Sequence, residues 1–343
     1  MKDTKKSRIC IVPSVHGVGG MVSFRHKFAR GLHARGIDVC EDLEDWPYDA
    51  VLVISGTSQL AKLWRARRQG IPIIQRLDGM NWLHRVQRTG IRHFVRAESG
   101  NWLLQFIRSR LASGIVYQSE FTRQWWERVY GPTAAPSRIV YNAVDLDTYT
   151  PQGPHTRSSD SFRVQIVEGS LLGGNDHMLA PAIKLVEELN NRLDRQVNLC
   201  VAAQTSDSLI SEWARGTDID IEFLGVVSHD QITQIDRSAH ILFPAEPNPP
   251  CPNSVIEAMA CGLPVVGYST GSLPELVSGD AGLLVPYGGD PWKLDPPDVP
   301  ALVEAAEQVL TQQDRFRAGA RARAEAAFDL DEMVVGYLTA LLN

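Results

Sequence analysis

Short apolar runs recur along the chain, and each one leads into a polar or glycine-rich turn and then into a stretch with apolar positions at helical spacing. In the first half this pattern predicts strands over 8–13, 37–40, 49–54, 71–77, 114–118 and 138–145, with helices running through residue 32, over 58–69 and over 120–130. The second half repeats it, with strands over 162–167, 197–202, 221–224, 239–243 and 264–267 and helices through 193, over 206–215 and over 230–238. A short run over 281–285 reads as hairpin-like, and helices follow over 300–310 and 315–328 before an apolar helical tail over 330–342. Strand, helix, strand in alternation predicts an α/β fold of parallel, doubly wound sheets.

At 343 residues the chain exceeds one ordinary core, so two domains are expected. The stretch 151–160, rich in Pro, Gly, Ser and Thr, reads as the linker. This divides the chain into 1–155 and 156–329, with 330–343 crossing back to the first domain. Cys10, Cys40, Cys200, Cys251 and Cys261 are odd in number and scattered, which favours reduced thiols over a disulfide framework or a zinc site. The apolar run 9–13 is too short for a signal peptide or a span, so the expected location is the cytoplasm.

Charge is unevenly spread. The whole chain carries −6, yet residues 60–130 hold thirteen Lys and Arg against four acids. Such a basic half points to an anionic partner, and arginines interleaved with Trp82, Phe94, Trp102 and Phe106 suit either a solvated helix face or an anionic membrane surface. Nucleic acid is not expected, since no binding module is recognisable and the overall charge is negative.

Candidate chemistry gathers at three places. A Pro-rich loop after the strand 239–243 opens a helix at Asn253 or Ser254, and that helix stops at Gly262. A helix N-terminus at the carboxyl end of a parallel strand offers free N–H groups to a ligand. Glu257 on this helix is either a ligand group or a buried carboxylate that fixes a neighbouring loop. Gly17, Gly19 and Gly20 follow the first strand, where they allow close backbone approach to a phosphate or sugar, or simply a tight turn. Asp78 ends the strand 71–77, as a helix cap or as a cleft residue.

The order of these features resembles the family 4 glycosyltransferases of the GT-B fold. Four stretches carry the resemblance: His16-Gly-Val-Gly-Gly20, Tyr141-Asn-Ala-Val-Asp145, Ile221-Glu-Phe-Leu-Gly225, and Val255-Ile-Glu-Ala-Met-Ala-Cys-Gly-Leu-Pro-Val-Val266 with Gly271–Glu275 behind it. The family implies two Rossmann-like domains facing a central cleft. It also implies transfer of a sugar, with retention and no required metal, from a nucleoside-diphosphate donor (a UDP- or GDP-sugar) to an acceptor hydroxyl. No tightly bound cofactor is implied. The acceptor would be a glycan, a lipid-linked or a small molecule, and the enzyme would be cytoplasmic, at most peripheral on the inner membrane face.

By position in the family, Glu257 meets the ribose, Asn253, Ser254 and Val255 hold sugar or phosphate through backbone N–H groups, and Gly19 and Gly20 approach the diphosphate. Gly169, Ser170 and Asn175 complete the donor side, His16 and Asn142 lie on the acceptor side, and Asp78 and Glu246 are the catalytic candidates. Three departures accompany this reading. Ser170 and Asn175 stand where the family has an Arg and a Lys for the phosphates, Pro249 stands where it has a glutamate, and Asp78 stands where many members have a histidine. Loss of two charge-assisted contacts costs about several kcal/mol. The sequence therefore admits a transferase with a shifted phosphate site, a catalytically weak nucleotide-sugar-binding partner subunit, or, least supported, a phosphorylase- or epimerase-like enzyme.

Overall fold

The computed structural model describes residues 7–15, 17, 19–173 and 175–342. The chain forms two compact units, one of Met1–Asn142 with Leu330–Asn343 and the other of Ala143–Asp329. In the first unit β1 (Arg8–Val12), α1 (Gly20–Ala34), β2 (Asp38–Cys40), β3 (Ala50–Ile54), α2 (Leu60–Arg68) and β4 (Ile73–Leu77) lead to α3 (Ile91–Phe106), β5 (Gly114–Tyr117), α4 (Glu120–Tyr130) and β6 (Ser137–Ile139). The second unit opens with β7 (Ser161–Ser170), α5 (Leu179–Arg192), β8 (Gln196–Gln204), α6 (Asp207–Arg215), β9 (Ile221–Phe223), α7 (His229–Ser238) and β10 (Ile241–Leu242). It continues with α8 (Asn253–Ala260), β11 (Val265–Tyr268), α9 (Leu273–Leu276), β12 (Gly282–Val285), α10 (Val299–Thr311) and α11 (Gln313–Ala327), and α12 (Leu330–Leu342) then belongs to the first unit.

Each unit holds one six-stranded sheet, in the order β2-β1-β3-β4-β5-β6 and β12-β11-β10-β7-β8-β9 respectively. Every named pairing is parallel. The strands β1, β3 and β4 are buried almost throughout, so none shows an alternating pattern; β3 is an unbroken apolar run, while β4 carries the buried Gln75 and Arg76.

Three sequence expectations change. The run near 281–285 is not a hairpin, because β12 pairs in parallel with β11 from Val265↔Gly282 onward. The strand expected over 138–145 ends at Ile139; beyond it, the Asp145 carboxylate accepts from Asp147 N at 3.1 Å and so closes a turn. The units meet at Asn142 and Ala143, not at 155 and 156, because the supposed linker is tied to the second unit. Arg237 donates to Thr150 O and Pro154 O, both at 3.1 Å, and Thr156 N donates to Ser238 Oγ at 2.9 Å. All five cysteines are free and buried.

Helix α12 is apolar because it lies in the first unit's core. Tyr337 packs against Phe24 and Phe28 with ring centroids 5.0 and 5.3 Å away, and Arg35 bonds Asp331 at 3.1 Å. Gly31 of α1 permits this approach, since a Cβ there would lie 2.5 Å from Val334 Cγ2. Gly31→Ala is therefore expected to lower the unfolding free energy by about 1–3 kcal/mol. In denaturant titrations, Val334→Ala added to Gly31→Ala should recover part of that loss, whereas strict additivity of the two changes would contradict the contact.

Candidate functional site

In the second sheet β7 and β10 are neighbours, and the strand order reverses between them. Connections leave such a pair in opposite directions, which opens a crevice beyond the carboxyl ends where α/β sheets bind ligands. On one side the chain enters the turn 171–178, and on the other it enters the loop 244–252 and then α8. Helix α8 has Pro252 as its N-cap and no side-chain cap, so the first-turn N–H groups at Asn253, Ser254 and Val255 lack intrahelical partners. The preceding loop is held by Gly271, whose φ of +57° and lack of a side chain let Pro249 approach; a Cβ there would lie 2.5 Å from Pro249 backbone atoms.

Glu257 is 5% exposed on α8. The Tyr149 hydroxyl hydrogen-bonds its carboxylate, and Asp236 of α7 lies close enough to act on the same group. Asp236 accepts from Gln165 Nε2 at 2.7 Å, while burial and the charge of Glu257 push its carboxyl well above the usual range. Burial and the neighbouring carboxylate thus both oppose ionisation of Asp236. Arg321 holds the arrangement: its Nη1 donates to Ala260 O at 2.9 Å, to Tyr149 O at 2.7 Å and to Leu146 O at 3.3 Å. A cation thus sits at the C-terminus of α8, where the helix dipole favours it, and fixes the segment that carries Tyr149.

Glu168 was not singled out by sequence. It lies at the carboxyl end of β7, where the register against β8 shifts between Val167 and Ser170, and such bulges re-aim side chains. Its Oε1 accepts from Ala245 N at 3.3 Å, so the carboxyl ties the end of β7 to the loop that leaves β10 at the reversal of order. Desolvation pushes its pKa up to about 7, against the lowering effect of that hydrogen bond. A charged residue directly after the apolar run Ile166-Val167 was the available signal.

The other donor-side residues fall around it. Gly169 and Ser170 belong to β7 rather than to a loop, Ser170 Oγ accepts from Leu172 N at 3.2 Å, and Asn175 Nδ2 donates to Leu172 O at 2.9 Å. Ser170 and Asn175 therefore hold their own turn together. Glu246 is exposed and follows directly on Ala245.

In the first unit, strand order reverses between β1 and β3. Gly19 is the N-cap of α1, with no side-chain cap, and Gly20 opens the helix; among the described residues, its chain neighbours apart, no atom stands within 4 Å of where a Cβ on Gly19 would be. His16 lies outside the described residues. Ser55, at the end of β3, has a φ of +65°, a left-handed conformation uncommon for serine, and sequence reasoning did not find it. Asp78 does not cap a helix, since Trp82 precedes the next short one; burial raises its carboxyl pKa while Arg76 opposes the rise. Asn142, expected on the acceptor side, is 5% exposed and accepts from Arg76 Nη2 at 2.9 Å, while that guanidinium stacks 4.0 Å above Phe24. Among the described residues no group of three or more His, Cys, Asp or Glu is placed to share a metal ion.

The family model for glycosyl transferases, group 1, matches residues 172–312, the stretch that holds the turn after β7, the loop 244–252 and α8. The matched stretch includes the loop from β10, α8 and Glu257, while Glu168 stands just before it. The chain is 34% identical over 96 residues to the 2-deoxystreptamine N-acetyl-D-glucosaminyltransferase of Streptomyces fradiae, a stretch covering 28% of this chain and 21% of that protein. The matched stretches span only 21% and 42% of the curated relatives' own lengths. Sucrose-phosphate synthase from Thermosynechococcus elongatus is similar in structure at a TM-score of 0.72 and 16% identity, covering 97% of this chain and 98% of that one. Anabaena HepE in complex with UDP-glucose is similar at 0.67 and 15% identity, covering 97% and 100%. These likenesses show the fold, two Rossmann-like parallel-sheet units of the GT-B class.

Arg321 gives this site its first test. Arg321→Met removes a cation from three carbonyls and is expected to cost about 2–3 kcal/mol in the second unit. Denaturation monitored by calorimetry should show that loss, and an unchanged unfolding free energy would mean that the carbonyls do not depend on the guanidinium.

Proposed function

We propose that the protein is a glycosyltransferase that moves a sugar from a nucleoside-diphosphate donor to an acceptor hydroxyl, with retention of configuration and without a required metal. The observation that carries this reading is the placement of α8: an uncapped helix N-terminus and the buried carboxylate of Glu257 stand at the strand-order reversal, within the group 1 glycosyl transferase domain. A carboxylate with two acceptor oxygens suits the paired hydroxyls of a ribose, and the Tyr149 hydrogen bond orients it without exhausting its acceptor capacity. The N–H groups of Asn253, Ser254 and Val255 would meet the phosphates or the sugar, where the helix dipole favours negative charge. As the sugar–phosphate bond breaks, charge builds on the leaving diphosphate, and preorganised N–H donors stabilise it without reorganisation. HepE, a structural neighbour, binds UDP-glucose, which supports a UDP-sugar ahead of a GDP-sugar.

Asp78 and Glu246 remain the catalytic candidates. On the first unit, Gly19, Gly20 and Asp78 would meet the diphosphate and the acceptor, a glycan, a lipid-linked molecule or a small molecule. The neutral Ser170 and Asn175 turn favours one second reading, a nucleotide-sugar-binding subunit with little catalysis of its own. Donor titration and donor turnover measured together separate the two, since binding with no transfer or hydrolysis would count against the enzyme.

Glu257→Gln keeps the shape of the side chain and should weaken UDP binding roughly 10- to 100-fold by calorimetry, the loss expected for hydrogen bonds to a charged group. An unchanged affinity would remove Glu257 from the donor site.

The first unit also suits an anionic membrane surface, on the cytoplasmic side. Ile91, Val95 and Trp102 of α3 are 81%, 57% and 61% exposed, and Arg92 and Arg96 stand among them. Among the described residues no helix is long and apolar enough to cross a membrane. Vesicles rich in phosphatidylserine should co-sediment the protein at low salt, and Trp102→Ala with Arg96→Ala should release it. Equal binding to neutral vesicles would contradict this association.

A further inference from the structure

We propose that Glu168 takes over from the missing cations, holding the donor's diphosphate by donating its carboxyl proton at the strand-order reversal of the second sheet. This rests on the nucleotide-sugar reading above. Glu168 leaves β7 at a register shift, and its Oε1 accepts from Ala245 N at the start of the loop that leaves β10. That hydrogen bond fixes one carboxyl oxygen as acceptor, so a proton on the group belongs to the other oxygen. The side chain is half-buried, which leaves part of it open to a ligand.

An ionised carboxylate here would repel a diphosphate, whereas a neutral carboxyl can donate to one. Burial favours the neutral form, and the pKa of about 7 arises from desolvation against the single Ala245 hydrogen bond, with no charged neighbour contributing. The titratable groups on the surrounding elements are Glu246 on the loop from β10 and Asp176 and His177 in the turn after β7, while β8 presents Gln204 opposite Ser170. His177 is pushed below its usual range by burial and stays neutral above pH 7. An arriving diphosphate raises the pKa of Glu168 further, so binding takes up a proton. The sign follows: the donor binds tightest below the pKa of the free protein, and its affinity falls as the pH rises past it.

UDP-glucose is the probe, because its diphosphate has no ionisation near neutrality. Calorimetry between about pH 6 and about pH 8.5 should show affinity falling up to tenfold per pH unit at the alkaline end, with uptake of close to one proton revealed by buffers of different ionisation enthalpy. Glu168→Gln, which keeps a donor but cannot ionise, should bind nearly as tightly as the wild type at low pH, with a flat profile and no proton uptake. Glu168→Ala should bind at least about tenfold more weakly at low pH. A flat wild-type profile, or a Gln variant that keeps the slope, would overturn the role of Glu168 and leave the donor reading standing. Absence of UDP-glucose binding by the wild type at every pH would instead remove the UDP-sugar reading, and this inference with it. Cooperative unfolding like that of the wild type checks that both variants are folded.

Discussion

A parallel sheet whose strand order reverses cannot close its carboxyl edge at the reversal, because the connections on either side leave in opposite directions. The second unit is built around that constraint, with β7 and β10 as the reversal pair. What fills the opening is unusual in its charge. Where a phosphate site would gain from cations, the chain places a half-buried carboxyl, a serine and an asparagine, and the turn after β7 spends its polar side chains on itself.

The nucleoside end of the site rests on different forces. Glu257 and Asp236 are two buried carboxyls, tolerable because Asp236 is held towards its neutral form and Tyr149 donates to Glu257. Arg321 gathers the end of α8 and the carbonyls of 146 and 149, and so ties the segment that carries Tyr149 to the helix that carries Glu257. A guanidinium is suited to this because its donors form a rigid fork that several carbonyls can share. The same segment explains why the unit begins at Ala143: the chain from there to Thr156 is bonded to the second unit rather than free of it.

Much of the fold was legible because buried parallel strands leave unbroken apolar runs, and α4, α8 and α12 carry helical spacing or clear starts and stops. Strand direction at 281–285 was not legible, since a short apolar run looks the same in either direction. The linker misled for a related reason: Pro, Gly and Ser mark irregular backbone, and irregular backbone can be fastened down by a distant arginine. Glu257 stood out through its motif, whereas Glu168 did not, because its partner Ala245 lies in a loop 77 residues away in sequence. Asn142 shows what a motif leaves unsaid, since its bond to the buried Arg76 comes from a strand 66 residues earlier in the chain.

The central claim is that a nucleotide sugar is held at the strand-order reversal of the second unit. Hydrogen–deuterium exchange with and without UDP-glucose tests it most directly, because it reports on the backbone N–H groups that would hold the ligand. Within the second unit the account predicts slower exchange confined to the end of β7 with its following turn and to the loop 244–252 with the first turn of α8. Protection elsewhere in the second unit, with these segments unchanged, would contradict it.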